Sequence, residues 1–91
     1  MRVIETRRFR QAAKRLHANQ KRDLDEAVRS ITVDTAIGQE KTGDLTGVRV
    51  HKFRMLNQLV LVAYGYDADD DTLTLIDLGS HENFYRDLKR D

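Results

Sequence analysis

Gln58-Leu59-Val60-Leu61-Val62-Ala63-Tyr64-Gly65-Tyr66 (residues 58–66) is apolar at odd and even positions alike. Successive strand residues point to opposite faces, so a run apolar at both parities reads as a strand covered on both sides, central in its sheet. Ahead of it, Val48-Arg49-Val50-His51 alternates and reads as a neighbouring strand. Behind it, Ala68-Asp69-Asp70-Asp71 forms a turn, and Thr72 to Leu78 (TLTLIDL) predicts a third strand of the same meander. Gly79 is expected to break that strand, and Ser80 to cap a final helix through Phe84, Tyr85 and Leu88.

Towards the N-terminus the period changes. Gly38, Gly43 and Gly47, among polar residues, mark a loop of about a dozen residues. Leu24, Ala27, Val28 and Ile31 fall at i, i+3, i+4 and i+7, one face of a helix, with Asn19 as its candidate cap. Phe9, Ala12, Ala13 and Leu16 repeat that spacing behind Thr6, a second candidate cap. Two amphipathic helices joined by a few residues make an antiparallel hairpin. Arg2-Val3-Ile4-Glu5 precedes them as a short strand. The expected order is β-α-α-β-β-β-α: an α+β domain over residues 1–91, its N-terminal helical hairpin packed on a mainly antiparallel sheet.

Composition narrows the function. The 91 residues contain no cysteine, which excludes disulfide staples and thiolate zinc sites. His17, His51 and His81 lack metal-ligand spacing, and the aspartates at 69–71 read as turn chemistry. P-loop and dinucleotide glycine patterns are absent, so no metal or cofactor is expected. No apolar run approaches the roughly 20 residues of a membrane span, and the expectation is a soluble, cytoplasmic protein. The net charge of +1 hides an asymmetry: residues 1–22 carry eight Lys/Arg against Glu5 alone, and the remainder carries eight against fourteen acids. Such opposition suits a polyanionic or acidic partner on the basic side, or a solvated helix surface.

Two segments hold candidate chemistry. Arg49 and His51 share a strand face, away from Val48 and Val50. If the valines face the helices, both bases lie on the open face of the sheet, with Lys52 and Arg54 adding charge nearby; a solvent-facing strand edge decorated with bases reads equally. In the final helix, His81 occupies the first turn and Tyr85 lies four residues on, along the same face. The positive end of a helix dipole disfavours imidazolium, leaving a neutral imidazole able to accept a proton. Tyr85 can position a phosphate or ribose hydroxyl, or stack on a base; alternatively the pair simply fills the helix terminus and packs beside Phe84.

Taken together, the F-x-x-A-A-x-x-L helix (9–16), LTGVRVHKFR (45–54), the hydrophobic hairpin and GSHENFYRDLKR (79–90) resemble a toxin of the RelE/ParE superfamily, in the ParE-like subgroup of type II toxin–antitoxin systems. The resemblance covers nearly the whole chain. It implies a toxin whose RelE-type members enter the ribosome and cleave mRNA without a metal, inhibiting translation. On that pattern Arg49 would stabilise the phosphate, His81 or His51 would serve as base or acid, and Tyr85 would position substrate. Lys52, Arg54, Gln58 and Arg86 would contact the RNA.

Gln58 stands where RelE-type nucleases carry an arginine at the start of a strand. A glutamine can hydrogen-bond a phosphate but cannot neutralise it, although Arg54 could substitute. ParE-type members share the fold and inhibit DNA gyrase, and a non-catalytic antitoxin-binding or nucleic-acid-binding module is a third alternative. The resemblance also implies a cognate antitoxin, expected in the groove between helical hairpin and sheet. The ribosome with its mRNA, or gyrase, would be the target, with no membrane involved.

Overall fold

The computed structural model describes residues 1–80 and Phe84. Strand β1 (Arg2–Glu5) leads into helices α1 (Arg7–Lys14) and α2 (Ala18–Val33). Strands β2 (Gln39–Glu40), β3 (Arg49–Met55), β4 (Gln58–Asp67) and β5 (Thr72–Ser80) follow. They form one sheet in the order β1-β5-β4-β3-β2, in which β1 runs parallel to β5 and every other pair is antiparallel. The α+β architecture is the one the periodicities predict. Strand β4 is central, and Val60 to Tyr64 are buried at consecutive positions.

The helices form where expected. The Thr6 hydroxyl caps α1 by accepting from the Phe9 amide over 3.1 Å. Helix α2 starts behind His17 rather than at Asn19: the Gln20 side chain reaches back to accept from the His17 amide over 2.8 Å. A backward-reaching amide at the third helical position satisfies an otherwise orphaned N–H. Phe9, Leu24 and Ile31 bury against Val60, Val62, Tyr64, Leu73 and Leu75, with Ala12, Ala13, Leu16 and Val28 beside them. Each apolar position read from the helical spacing therefore points inward.

Three further local expectations are corrected. Part of the glycine-marked loop is structured: Gln39 and Glu40 pair with Val50 and Arg49, and Gly43–Leu45 forms a 3-10 turn. Gly79 does not end the last strand, because Leu61 pairs with Gly79 and Val60 with Ser80. Ser80 is thus a strand residue. A Cβ at Gly79 would stand 3.2 Å from the ring of Phe84, so the glycine admits a close approach instead of breaking the strand. The third correction concerns which face the strand after Gly47 presents, and it governs the site.

Phe84 itself is helical and buried. The remainder of the expected final helix, including His81, Tyr85 and Arg86, lies outside the described residues.

Candidate nucleic-acid interface

The two faces of the sheet carry different clusters. One, under the helices, joins Phe53, Met55, Val60, Val62 and Tyr64 to α1 and α2. The other joins Val50, Leu61 and Ala63 to Phe84, with Val48 and Ile76 packed against them. Val48 and Val50 therefore face away from the helices. By alternation Arg49 and His51 fall on the helical side with Phe53 and Met55, contrary to the open-face expectation. Period-2 spacing shows which residues share a face. Long-range packing chooses the face.

Arg49 is engaged in holding the loop after α2. Its guanidinium donates to the Gly38 carbonyl over 2.9 Å and to the Ala36 carbonyl over 3.5 Å, and stands 3.9 Å from the Glu40 carboxylate. His51 is half-buried in a cleft of about 180 Å³ whose walls include Asp23, Glu26 and Ser30 of α2. Burial lowers its pKa from 6.5 by penalising the imidazolium. Its ring stacks with Phe53 at a centroid separation of 6.3 Å.

Lys52 and Arg54 alternate to the opposite face, and both are exposed. Their partners across β4 are Leu61 and Leu59. Gln58 pairs with Met55 and so belongs to the helical side, exposed at the hairpin end. Alternation thus sets Arg49, His51 and Gln58 apart from Lys52 and Arg54, although Arg54 also lines the cleft that holds His51. Phe84 packs on the face that bears Lys52 and Arg54, through Val50, Leu61 and Ala63. His81, Tyr85 and Arg86 flank Phe84 in sequence and lie outside the described residues.

Two further features come from tertiary structure. Asp77 is buried, with one oxygen 3.5 Å from the Arg8 guanidinium of α1. A groove of about 640 Å³ runs between α1, α2 and β1, with Val3, Ile4, Phe9, Leu24 and Val28 in its walls and Arg10, Lys14 and Lys21 among its charged residues. This groove lies between the helical hairpin and the sheet, the place expected for an antitoxin, and Val3 and Ile4 remain 45% and 44% exposed at the sheet edge. Among the described residues no helix is long and apolar enough to cross a membrane, and no cluster of potential ligands fits a metal ion.

The fold recurs in solved structures. A chain of the intact E. coli RelBE toxin–antitoxin complex superposes with a TM-score of 0.74 at 14% identity, covering 89% of this chain and 96% of that one. For the RelBE2 toxin–antitoxin complex of Mycobacterium tuberculosis the TM-score is 0.75 at 13% identity, with 88% and 96% covered. The YoeB/ParE toxin of Agrobacterium tumefaciens gives 0.71 at 16% identity, covering 89% and 99%. No curated protein matches the sequence significantly. The family model for the ParE-like toxin of type II bacterial toxin–antitoxin systems matches residues 3–89. With a helical hairpin on one sheet face, a base-bearing opposite face and a sequence match over almost its full length, the chain belongs to the ParE-like toxins of type II bacterial toxin–antitoxin systems.

Proposed function

We propose that this toxin is a metal-independent, ribosome-dependent mRNA endonuclease working on the sheet face opposite the helices. The carrying observation is that Lys52 and Arg54 are exposed on the face against which Phe84 packs. Phe84 is bracketed in sequence by His81, Tyr85 and Arg86, the residues expected to supply proton transfer and substrate positioning. In the reaction, the ribose 2′-oxygen attacks the adjacent phosphorus while a base takes its proton. The bond from phosphorus to the 5′-oxygen breaks, and an acid protonates that oxygen, leaving a 2′,3′-cyclic phosphate and a 5′-hydroxyl. Lys52 and Arg54 would neutralise the developing phosphate charge, with His81 as base or acid, Tyr85 as positioner and Arg86 as an RNA contact.

In this reading Arg49 and His51 are supporting residues. Arg49 already donates to Gly38 and Ala36, and His51 sits against α2. Gln58, on the helical side, would contact RNA only at the hairpin end. The ribosome and its mRNA would be encountered in the cytoplasm. A cognate antitoxin would hold the toxin inactive, and the groove beside β1 offers it apolar walls and basic residues.

DNA gyrase is the alternative target, and one observation weighs against cleavage: opposite Lys52 and Arg54, β4 presents Leu61 and Leu59 and brings no further base to the face. Induction of the toxin alone in bacteria discriminates the two. Wild type would be compared with Lys52→Ala, Arg54→Ala, His81→Ala and Tyr85→Phe, reading growth and primer extension on an abundant message. Growth arrest with new in-frame cleavage ends, lost in the variants, is the expected result. Arrest with intact messages in all of them would overturn the nuclease and direct attention to gyrase. No arrest at all would leave a non-catalytic antitoxin-binding or nucleic-acid-binding module.

A further inference from the structure

We infer that the outer face of α1 is a docking surface for the backbone of a folded RNA; it borders the apolar groove, with which it shares Arg10 and Lys14, and is distinct in role from the Lys52/Arg54 face. Phe9, Ala12 and Ala13 turn inward to the core, which leaves Arg7, Arg10, Gln11 and Lys14 on the other side of the helix. These four side chains line a shallow cleft of about 290 Å³, and all four residues are exposed. No carboxylate among the described residues pairs with Arg7, Arg10 or Lys14. The row follows helical spacing, with a rise of about 10 Å from first cation to last.

Local stability does not account for this row. The first turn of α1 contains no acidic residue. Arg7 and Arg10 stand near the positive end of the helix dipole, where a cation is disfavoured. Neither has the compensation that Arg8 finds in Asp77. Lys14, in the last turn, is favoured by the dipole, but Arg7 and Arg10 are held against it, and their guanidinium forks suit oxygens that accept bidentate hydrogen bonds.

The chemistry of the cleft selects the occupant. A protein segment gains most of its affinity from apolar anchors seated in pockets, and the walls here are cationic or amide side chains only. The neighbouring groove, with Val3, Ile4, Leu24 and Val28, is the place for such anchors. A nucleic-acid backbone brings charge without apolar surface, and its affinity comes from releasing condensed counterions. The choice of RNA over DNA rests on the proposed reading of the protein as an RNA-cleaving toxin.

The test is fluorescence anisotropy of the purified full chain with a labelled RNA hairpin across a salt series. Arg7→Gln/Arg10→Gln/Lys14→Gln should lower the slope of log affinity against log salt by about 2 to 3, one phosphate contact per lost cation. Arg7→Lys/Arg10→Lys should retain the slope, which separates charge from folding. An unchanged slope in the triple glutamine variant would overturn the surface. Two probes decide the occupant: a DNA hairpin of the same sequence and poly-glutamate. Tighter binding and a larger slope loss with DNA would overturn the RNA assignment, as would a larger affinity loss with poly-glutamate. Binding is read without ribosomes or turnover, so failure of the cleavage reading appears as intact messages on induction and not as a change in slope.

Discussion

The Tyr64 hydroxyl stands at the junction between the sheet and the loop after α2: it accepts from the Gly38 amide over 2.9 Å and donates to the Thr35 carbonyl over 2.7 Å. Tyr64 is fully buried, and burial, the largest influence on it, pushes its pKa up, keeping the proton with which it donates. Gly38 is matched to it sterically, since a Cβ there would lie 2.8 Å from the Tyr64 ring and hydroxyl. Tyr64→Phe should therefore destabilise by about 1–3 kcal/mol, the cost of leaving buried backbone groups without a partner. Gly38→Ala should also destabilise, because the tyrosine cannot withdraw from a closed core. Urea unfolding of the two variants measures both, and unchanged midpoints would show that the junction relaxes freely.

Arg49 serves the same loop from the adjacent strand, through the Gly38 carbonyl. With its side chain 31% exposed, its hydrogen bonds are partly screened. Arg49→Ala should cost about 1 kcal/mol of stability. Its toxicity on induction should follow the amount of folded protein, unlike Lys52→Ala, which should lose toxicity while remaining folded. Loss of message cleavage by fully folded Arg49→Ala would return Arg49 to the catalytic set.

His51 predicts a pH signature. Burial lowers its folded pKa below 6.5, so the unfolded chain binds the proton more readily. The sign follows: no penalty operates well above 6.5, stability falls as pH drops through that value, and the loss levels off below the folded pKa. His51→Gln should remove this component, so the stability difference between wild type and variant should change between neutral and mildly acidic pH. A constant difference over that window would mean that the α2 side of the cleft does not desolvate the ring.

At the β3–β4 turn, Leu56 adopts φ 58, a left-handed conformation that a branched side chain tolerates poorly. The Asp23 carboxylate of α2 accepts from the Leu56 amide over 2.9 Å and holds the turn. Leu56→Gly should raise stability by about 0.5–1 kcal/mol, relief of strain exceeding the extra freedom of the unfolded chain. Asp23→Ala should lower it by about 1 kcal/mol. Thermal and urea midpoints of the two variants should move in opposite directions.

The sequence by itself determined the local elements. The spacing of Phe9, Ala12, Ala13 and Leu16, and of Leu24, Ala27, Val28 and Ile31, names the buried faces of both helices because 3.6-residue periodicity is a property of neighbours along the chain. The doubly apolar run at 58–66 names the central strand for a similar reason. The motif at 79–90 carries the family, although His81, Tyr85 and Arg86 lie outside the described residues. Tertiary structure decided which side of the sheet each base occupies. Alternation couples Arg49 to His51 and Lys52 to Arg54 whichever way the strand is turned, and only the packing of Phe53 and Met55 under the helices, and of Val50 under Phe84, breaks the tie. Gly79 escaped the local rule in the same way: alone it reads as a strand breaker, whereas in the fold its missing side chain makes room for a ring that arrives from later in the chain. Backbone periodicity acts over a few residues, but the choice of face is made by apolar contacts between segments far apart in sequence, and no local pattern records it.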